Sequence, residues 1–207
     1  MKKIIIVVVI VVLLIVLALL GAKKGEKKEE PKEVVKEEEN YLSGKVNVEM
    51  YIKDYGKVTM ELDADTAPIT VTNFVNLVKE KFYDGLTFHR IISGFMAQGG
   101  DPSGDGTGGS GKNIKGEFSE NGVENDISHV RGVVSMARSG DPDSASSQFF
   151  IVTDNSKFLD GKYAAFGKVT DGMGIVDKMV KDARPIDDNG TISKDEQPVI
   201  EYIKVIE

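Results

Sequence analysis

Two histidines, His89 and His129, stand in a chain of 207 residues that contains many serines and aspartates and no cysteine. Thiol catalysis, disulfides, a cysteine zinc site and a lipid-modified cysteine are thereby excluded. The covalent chemistry left open is a serine nucleophile driven by histidine and backed by a carboxylate, with Ser135 or Ser147 in the first role. The spacing argues against it. No serine lies in a Gly-x-Ser-x-Gly elbow, and on a strand His89 faces away from its neighbour Arg90. In the glycine-rich stretch from Gly99 to Gly111, Gly104, Gly106 and Gly109 match G-x-G-x-x-G, and Gly106 with Gly111-Lys112-Asn113 nearly matches a phosphate loop. Such loops need a strand before and a helix after. Here Asn113-Ile114-Lys115-Gly116-Glu117 is a poor helix start, and Asp101 and Asp105 would repel phosphate, so the stretch reads as a surface loop. Asp187, Asn189, Gly190, Ile192, Ser193 and Glu196 keep the spacing of a calcium loop, but its first ligand position falls on Pro185 and a strand follows. An acidic turn is the plainer reading.

The elements that would position any site are short. Val46 to Lys53 and Gly56 to Asp63 alternate as a hairpin turning at Asp54-Tyr55-Gly56, with Val58, Met60 and Leu62 on one face. Asp65 or Thr66 can cap a helix with Pro68 in its first turn, followed by Val71, Phe74, Val75 and Val78 at helical spacing. Strand-like runs follow at Leu86 to Ile92, Phe95 to Gln98, Gly132 to Ala137, Gln148 to Val152, Ala165 to Thr170 and Val199 to Ile206, with a second helix near Gly174 to Val180. The 22 glycines and 6 prolines fit such a turn-rich, mainly β or α+β domain.

Three segments place unusual residue types on these strands: Phe88-His89-Arg90-Ile91-Ile92-Ser93-Gly94-Phe95-Met96-Ala97-Gln98-Gly99-Gly100-Asp101, Ser135-Met136-Ala137-Arg138, and Ser144-Ala145-Ser146-Ser147-Gln148-Phe149-Phe150-Ile151. Together they resemble the signature of the cyclophilin-type peptidyl-prolyl cis/trans isomerases. The resemblance runs from about Val46 to Ile206 and includes Phe158-Leu159-Asp160-Gly161-Lys162 and Phe166-Gly167. It implies a closed eight-stranded antiparallel β-barrel capped by two helices, and an activity that needs no cofactor and no metal. Rotation about an X-Pro bond is slow because amide resonance must be lost, a barrier of about 18–20 kcal/mol. A catalyst needs an apolar pocket for the proline ring and a fixed donor that favours the twisted, pyramidal nitrogen. The resemblance gives Arg90 that role, in contact with the proline carbonyl and the imide nitrogen, with Gln98 steadying it. It gives the proline pocket to Phe95, Met96, Phe149, Phe158 and Leu159, the edge that pairs with substrate backbone to Ala137 and Arg138, and the groove lining to Gln148 and Tyr163. Phe158 stands where the best-known eukaryotic members have Trp, and Tyr163 where they have His. Loss of the indole N–H implies weakened cyclosporin binding with isomerase activity kept. Ser93 replaces a frequent Pro. The resemblance also implies that His89 and His129 are structural hydrogen-bonding residues. A rival reading keeps the same scaffold as a binding module that holds a proline segment without turnover.

Ile4 to Leu20 form an uninterrupted apolar run behind Lys2 and Lys3, at the lower edge of the length that spans a bilayer. The run reads as a signal anchor or signal peptide over 1–22. Ala22 could end a signal peptide, but Lys23 and Lys24 follow at once, which favours an uncleaved anchor. Residues 23–40 are almost wholly Lys and Glu and read as a solvated spacer; 41–207 is the isomerase-like domain. The family resemblance is to prokaryotic-like members, and these features predict a membrane-anchored protein whose domain lies outside the cytoplasm, or a secreted one if the leader is cleaved. Its partners would be proline-containing unfolded or exported polypeptides, and one copy of the chain is expected to act alone. The net charge of -7 argues against nucleic acid, which requires a basic face.

Overall fold

The computed structural model describes residues 40–206. The apolar run Ile4 to Leu20 and the Lys/Glu spacer up to Glu39 lie outside the described residues. Among the described residues no helix is long and apolar enough to cross a membrane.

Strand β1 (Lys45–Ile52) and strand β2 (Gly56–Asp63) form the expected hairpin, with Val48 opposite Met60 and Met50 opposite Val58. The alternation does the work here: Val48, Met50, Ile52, Val58, Met60 and Leu62 are all fully buried, while the residues between them face outward. Helix α1 (Pro68–Lys79) buries Val71, Phe74, Val75, Leu77 and Val78 along one stripe. Then come β3 (Thr87–Ile92), β4 (Met96–Asp101), β5 (Val133–Met136), β6 (Phe149–Val152), β7 (Ala165–Asp171), helix α2 (Met173–Asp182) and β8 (Ile200–Ile206), with short 3₁₀ turns at Ser119–Asn121 and Lys157–Leu159.

The eight strands make one antiparallel sheet in the order β3-β4-β6-β5-β7-β2-β1-β8. Closure differs from the strand-length ladder that a closed barrel predicts. The outer strands meet through one bridge between Thr87 and Val199 and through the backbone hydrogen bonds Phe88 N to Pro198 O (2.9 Å), Gly85 N to Ile200 O (2.7 Å) and Ile200 N to Leu86 O (2.7 Å). The curled sheet is therefore stitched at one end of β3 and β8.

The cap of α1 also corrects the sequence reading. Neither Asp65 nor Thr66 caps it; the residue before Pro68 is Ala67, without a side-chain cap. The buried carboxylate of Glu117, far along the chain, accepts from Ile69 N (3.0 Å) and Thr70 N (2.8 Å). Two of the orphan N–H groups of the first turn thus find an anion, where the helix dipole favours one. Asp63 caps the preceding turn instead, accepting from Asp65 N and Thr66 N (both 3.2 Å).

Strands β4, β5 and β6 and the first residues of β7 are buried on both faces. Their inner face carries Ala97, Val134, Met136, Phe149, Ile151 and Phe166 into the main core with α1. Their outer face carries Met96, Val133, Phe150, Val152 and Ala165 into a second, smaller apolar cluster with Leu159, against which Phe95, Ala137 and Tyr163 pack.

Candidate active site

The second cluster floors a groove of about 290 Å³. Strand β3 brings Arg90 to its rim, the β3–β4 turn brings Phe95, and β4 brings Met96 and Gln98. The segment after β5 contributes Ala137 and Arg138, and the 3₁₀ turn Lys157–Leu159 with the residues after it contributes Phe158, Leu159 and Tyr163. Phe158 is the most open of these, at 64% exposure, and its ring lies 5.6 Å from that of Phe95.

Phe149 is not there. It is fully buried on the inner face, edge-on to Phe74 at 5.5 Å and to Tyr83 at 5.7 Å. Its neighbour Phe150 lines the groove, with its ring edge-on to Tyr163 at 6.0 Å. Successive residues of a strand face opposite ways, so Gln148 and Phe149 cannot both serve one face. That incompatibility was the signal in the sequence for Phe150. Gln148 itself lines an adjoining hollow of about 200 Å³, shared with Gln98, Ala137 and Arg138.

A bulge aims the arginine. Phe88 pairs with Gly99 and Arg90 with Gln98, leaving His89 without a partner across the ladder. Such an inserted residue bends a strand and redirects the next side chain. The Arg90 guanidinium then donates through Nη1 to Gln98 Oε1 (3.1 Å) and through Nε to the Asn189 carbonyl (2.7 Å). Gln98 donates through Nε2 to Gln148 Oε1 (2.9 Å), and Gln148 donates to the Gly106 and Gly108 carbonyls (3.0 and 2.8 Å). Among the described residues Nη2 has no hydrogen-bond partner, so its two N–H groups are left for a ligand. Burial lowers the pKa of Arg90, with Tyr163 and Asp187 acting against that; an arginine so placed remains cationic at neutral pH. Arg138 is held differently, donating to the Lys162 carbonyl (3.0 and 2.8 Å) with its guanidinium over the Tyr163 and Phe118 rings.

The glycine-rich stretch that follows β4 is a loop tied from within. The Asp101 carboxylate accepts from the N–H groups of Ser103 (2.8 Å), Asp105 (3.1 Å) and Gly106 (2.6 Å). Three backbone donors of the loop are thus taken by that carboxylate, and Thr107 N donates to Asp105 Oδ1 (3.0 Å).

The histidines divide. His129 donates from Nδ1 to Asp160 Oδ1 (2.9 Å), and Ser135 Oγ lies 2.9 Å from its Nε2. This is the hydrogen-bond order of a nucleophilic triad, but Ser135 has no exposed surface and no substrate can reach it. The array is a structural tie: His129 also accepts Ser156 N through its carbonyl (2.7 Å) and donates its own N–H to Asp160 (2.7 Å), so it grips both ends of the turn carrying Phe158 and Leu159. Burial lowers the pKa of His129 against the pull of Asp160. For Asp160, burial acts to raise the value, but the His129 N–H, the Ser128 hydroxyl and the His129 ring outweigh it and leave the carboxyl below its ordinary range. His89 departs from the hydrogen-bonding role read for it. It is buried, and neither ring nitrogen has a protein partner. Burial lowers its pKa as well.

Comparison with known proteins agrees with this architecture. The model of the family described as cyclophilin type peptidyl-prolyl cis-trans isomerase/CLD matches residues 47–206. A peptidyl-prolyl cis-trans isomerase of Helicobacter pylori is 47% identical over 126 residues, covering 60% of this chain and 74% of that protein. Peptidyl-prolyl cis-trans isomerase B of Bacillus subtilis is 47% identical over 128 residues, covering 62% and 86%. The crystal structure of a cyclophilin type peptidyl-prolyl cis-trans isomerase of Cryptosporidium parvum superposes with a TM-score of 0.70 at 29% identity, covering 79% of this chain and 99% of that one; a second structure of it was determined in the presence of the dipeptide Ala-Pro. The chain belongs to the cyclophilin-type peptidyl-prolyl cis-trans isomerase family. It is a peptidyl-prolyl cis-trans isomerase.

Proposed function

We propose that the groove accelerates X-Pro rotation in unfolded or exported polypeptides beside a membrane, with Arg90 as the catalytic donor. The observation that carries this reading is the free Nη2 of Arg90 at the rim of an apolar groove, while Nε and Nη1 are fixed by Asn189 and Gln98. Proline sits against Phe95, Met96, Phe150, Phe158 and Leu159, with Tyr163 at the edge. As the imide twists, its nitrogen pyramidalises and the lone pair that was delocalised into the carbonyl becomes localised on it. A prepositioned N–H from Nη2 is stronger to that nitrogen than to the planar amide, which lowers the barrier without a covalent step. Gln98, held by Gln148, keeps the guanidinium from turning away. Ala137 and Arg138 offer the edge along which substrate backbone lies.

The membrane part of the proposal rests on the apolar run Ile4 to Leu20 and the charged spacer after it, which together would hold the domain close to, and outside, the cytoplasmic membrane. The test is cis-to-trans conversion of an X-Pro peptide by the full chain in detergent and by its Arg90→Ala variant. Loss of one such donor is expected to lower kcat about 100- to 1000-fold in a protein that stays folded. If both proteins fold and bind the peptide at equal rates of conversion, Arg90 is not the donor. If neither accelerates conversion yet both bind, the groove is a holding module. Mass spectrometry of the membrane fraction, with Met1 present or absent, decides between an anchor and a cleaved leader.

A further inference from the structure

The segment before β8 carries the acidic turn whose spacing imitates a calcium loop, and the structure gives that turn a different occupation. Asp187 Oδ1 accepts from Thr191 N (3.0 Å), Asp187 Oδ2 accepts from Thr191 Oγ1 (2.8 Å), and Gly190 N donates to the Asp187 carbonyl (3.2 Å). The carboxylate is used to close its own turn. On its far side the turn lies along β3: Ile91 N donates to Gly190 O (2.8 Å), Ile192 N donates to His89 O (2.9 Å), and Arg90 bridges Thr191. Gly190 has φ +84°, and a Cβ there would stand 2.6 Å from the Ile91 carbonyl and 2.5 Å from Ile92 Cγ1. Only glycine lets the turn approach β3 this closely. The result is that the Asn189 carbonyl reaches Arg90 Nε at 2.7 Å.

We propose that the turn Asp187 to Thr191 is a positioning device for Arg90: by locking itself through the Asp187 carboxylate and docking on β3 through Gly190, it holds the Asn189 carbonyl where it fixes the Nε end of the guanidinium and leaves Nη2 aimed into the groove. Asp187 and Gly190 touch no substrate in this account. They act through the arginine. The inference rests on the reading of Arg90 as donor, and it adds a second constraint independent of Gln98. A planar guanidinium held only at Nη1 still rotates about its long side chain; held at Nη1 and Nε together, its plane is set. Misplacement of a reacting group by about 1 Å can cost on the order of a hundredfold in rate, so the device belongs on the turnover step and not on binding.

The test uses the full chain in detergent with three variants. Asp187→Ala removes the turn's lock, Asp187→Asn keeps an acceptor for Thr191 N while removing the charge, and Thr191→Val removes only the Oγ1 bond. Two quantities are read: kcat and KM for an X-Pro peptide, and the hydrogen-exchange rate of the Arg90 Nε–H by NMR, which reports the bond to Asn189 whether or not the chain turns over. Asp187→Ala is expected to lower kcat about tenfold with KM changed less than about twofold, and to speed Nε–H exchange. Asp187→Asn is expected to restore both, and Thr191→Val to fall between. The proposal is overturned if folded Asp187→Ala keeps the parent kcat, if kcat falls with Nε–H exchange unchanged, or if Asp187→Asn is as impaired as Asp187→Ala, which would make the charge and not the turn the active quantity. Should Asp187→Ala fail to fold, Thr191→Val decides by the same two readouts. A parent protein with slow Nε–H exchange but no turnover would instead refute the donor role of Arg90 and leave the clamp standing.

Discussion

The two faces of strands β4 to β7 use the same kinds of residue to different ends. On the inner face Phe149 is surrounded by Phe74, Tyr83 and Phe88 and closed over by α1. On the outer face Phe150 has Tyr163 at its edge and His129 stacked at 6.1 Å, and its cover is a loop held by hydrogen bonds. Apolar surface inside is spent entirely on the fold. Outside, part of it is left for a ligand, and polar ties replace the missing helix. The lesson is that a cyclophilin groove is a second core left uncovered on one side, whose stability must come from the loop that frames it.

The largest effect that would sharpen this contrast comes from truncating the adjacent phenylalanines. Phe149→Ala is expected to cost about 3–5 kcal/mol in urea unfolding, with the folded fraction keeping its turnover. Phe150→Ala should cost less stability and lower kcat/KM about 10- to 100-fold. Equal losses of stability and activity in both variants would break the comparison. Next, His129→Ala leaves Asp160 and Ser135 without their partner and should cost about 1–3 kcal/mol, together with weaker peptide binding as the turn bearing Phe158 loosens; stability loss with binding unchanged would show that the tie serves only the fold.

A smaller effect is expected from pH. Both histidines have folded pKa values below the ordinary 6.5, so between the folded and unfolded values the unfolded chain binds more protons and stability rises with pH. Stability is therefore full above about pH 6.5 and is lost as the pH falls through the lowered folded values. His89→Phe, which removes a titrating group and two unpartnered nitrogens, should flatten that slope without loss at pH 8; a steeper slope in the urea midpoint would contradict the burial argument. The smallest change in stability belongs to Phe158→Ala, within about 0.5 kcal/mol for so open a side chain, while KM for the peptide rises. A large drop in melting temperature would make Phe158 part of the second core and not of its open side.

Much of this was legible from the chain. The eight strands and two helices fall at the runs read for them; Val48 to Leu62 and Val71 to Val78 are the clearest because each is patterned by a single buried face. The rest depends on contacts that no local pattern encodes. Glu117 displaces Asp65 and Thr66 as the cap of α1 because a carboxylate from a distant loop arrives buried at the helix end. The bulge at His89 breaks the period-two count, so a residue read as a hydrogen-bonding group ends off the ladder. Phe149 and Phe150 are chemically the same; the alternation from Gln148 points to Phe150, and its pairing with Ser135 and Gln98 places it on the groove face. The role of Asn189 is carried by its carbonyl, which a side-chain reading does not reveal.

The pairing of β1 with β8, Asn47 opposite Ile206 and Val48 opposite Val205, bears on how the protein comes into being. A chain made from its N-terminus presents the β1–β2 hairpin long before the strand that completes its other edge has been synthesised. The sheet can be stitched only after Ile200 reaches Gly85 and Leu86, and the long loops this closes make for slow folding. Until then β1 has only β2 to pair with, so the edge that β8 covers is among the last parts of the sheet to be completed.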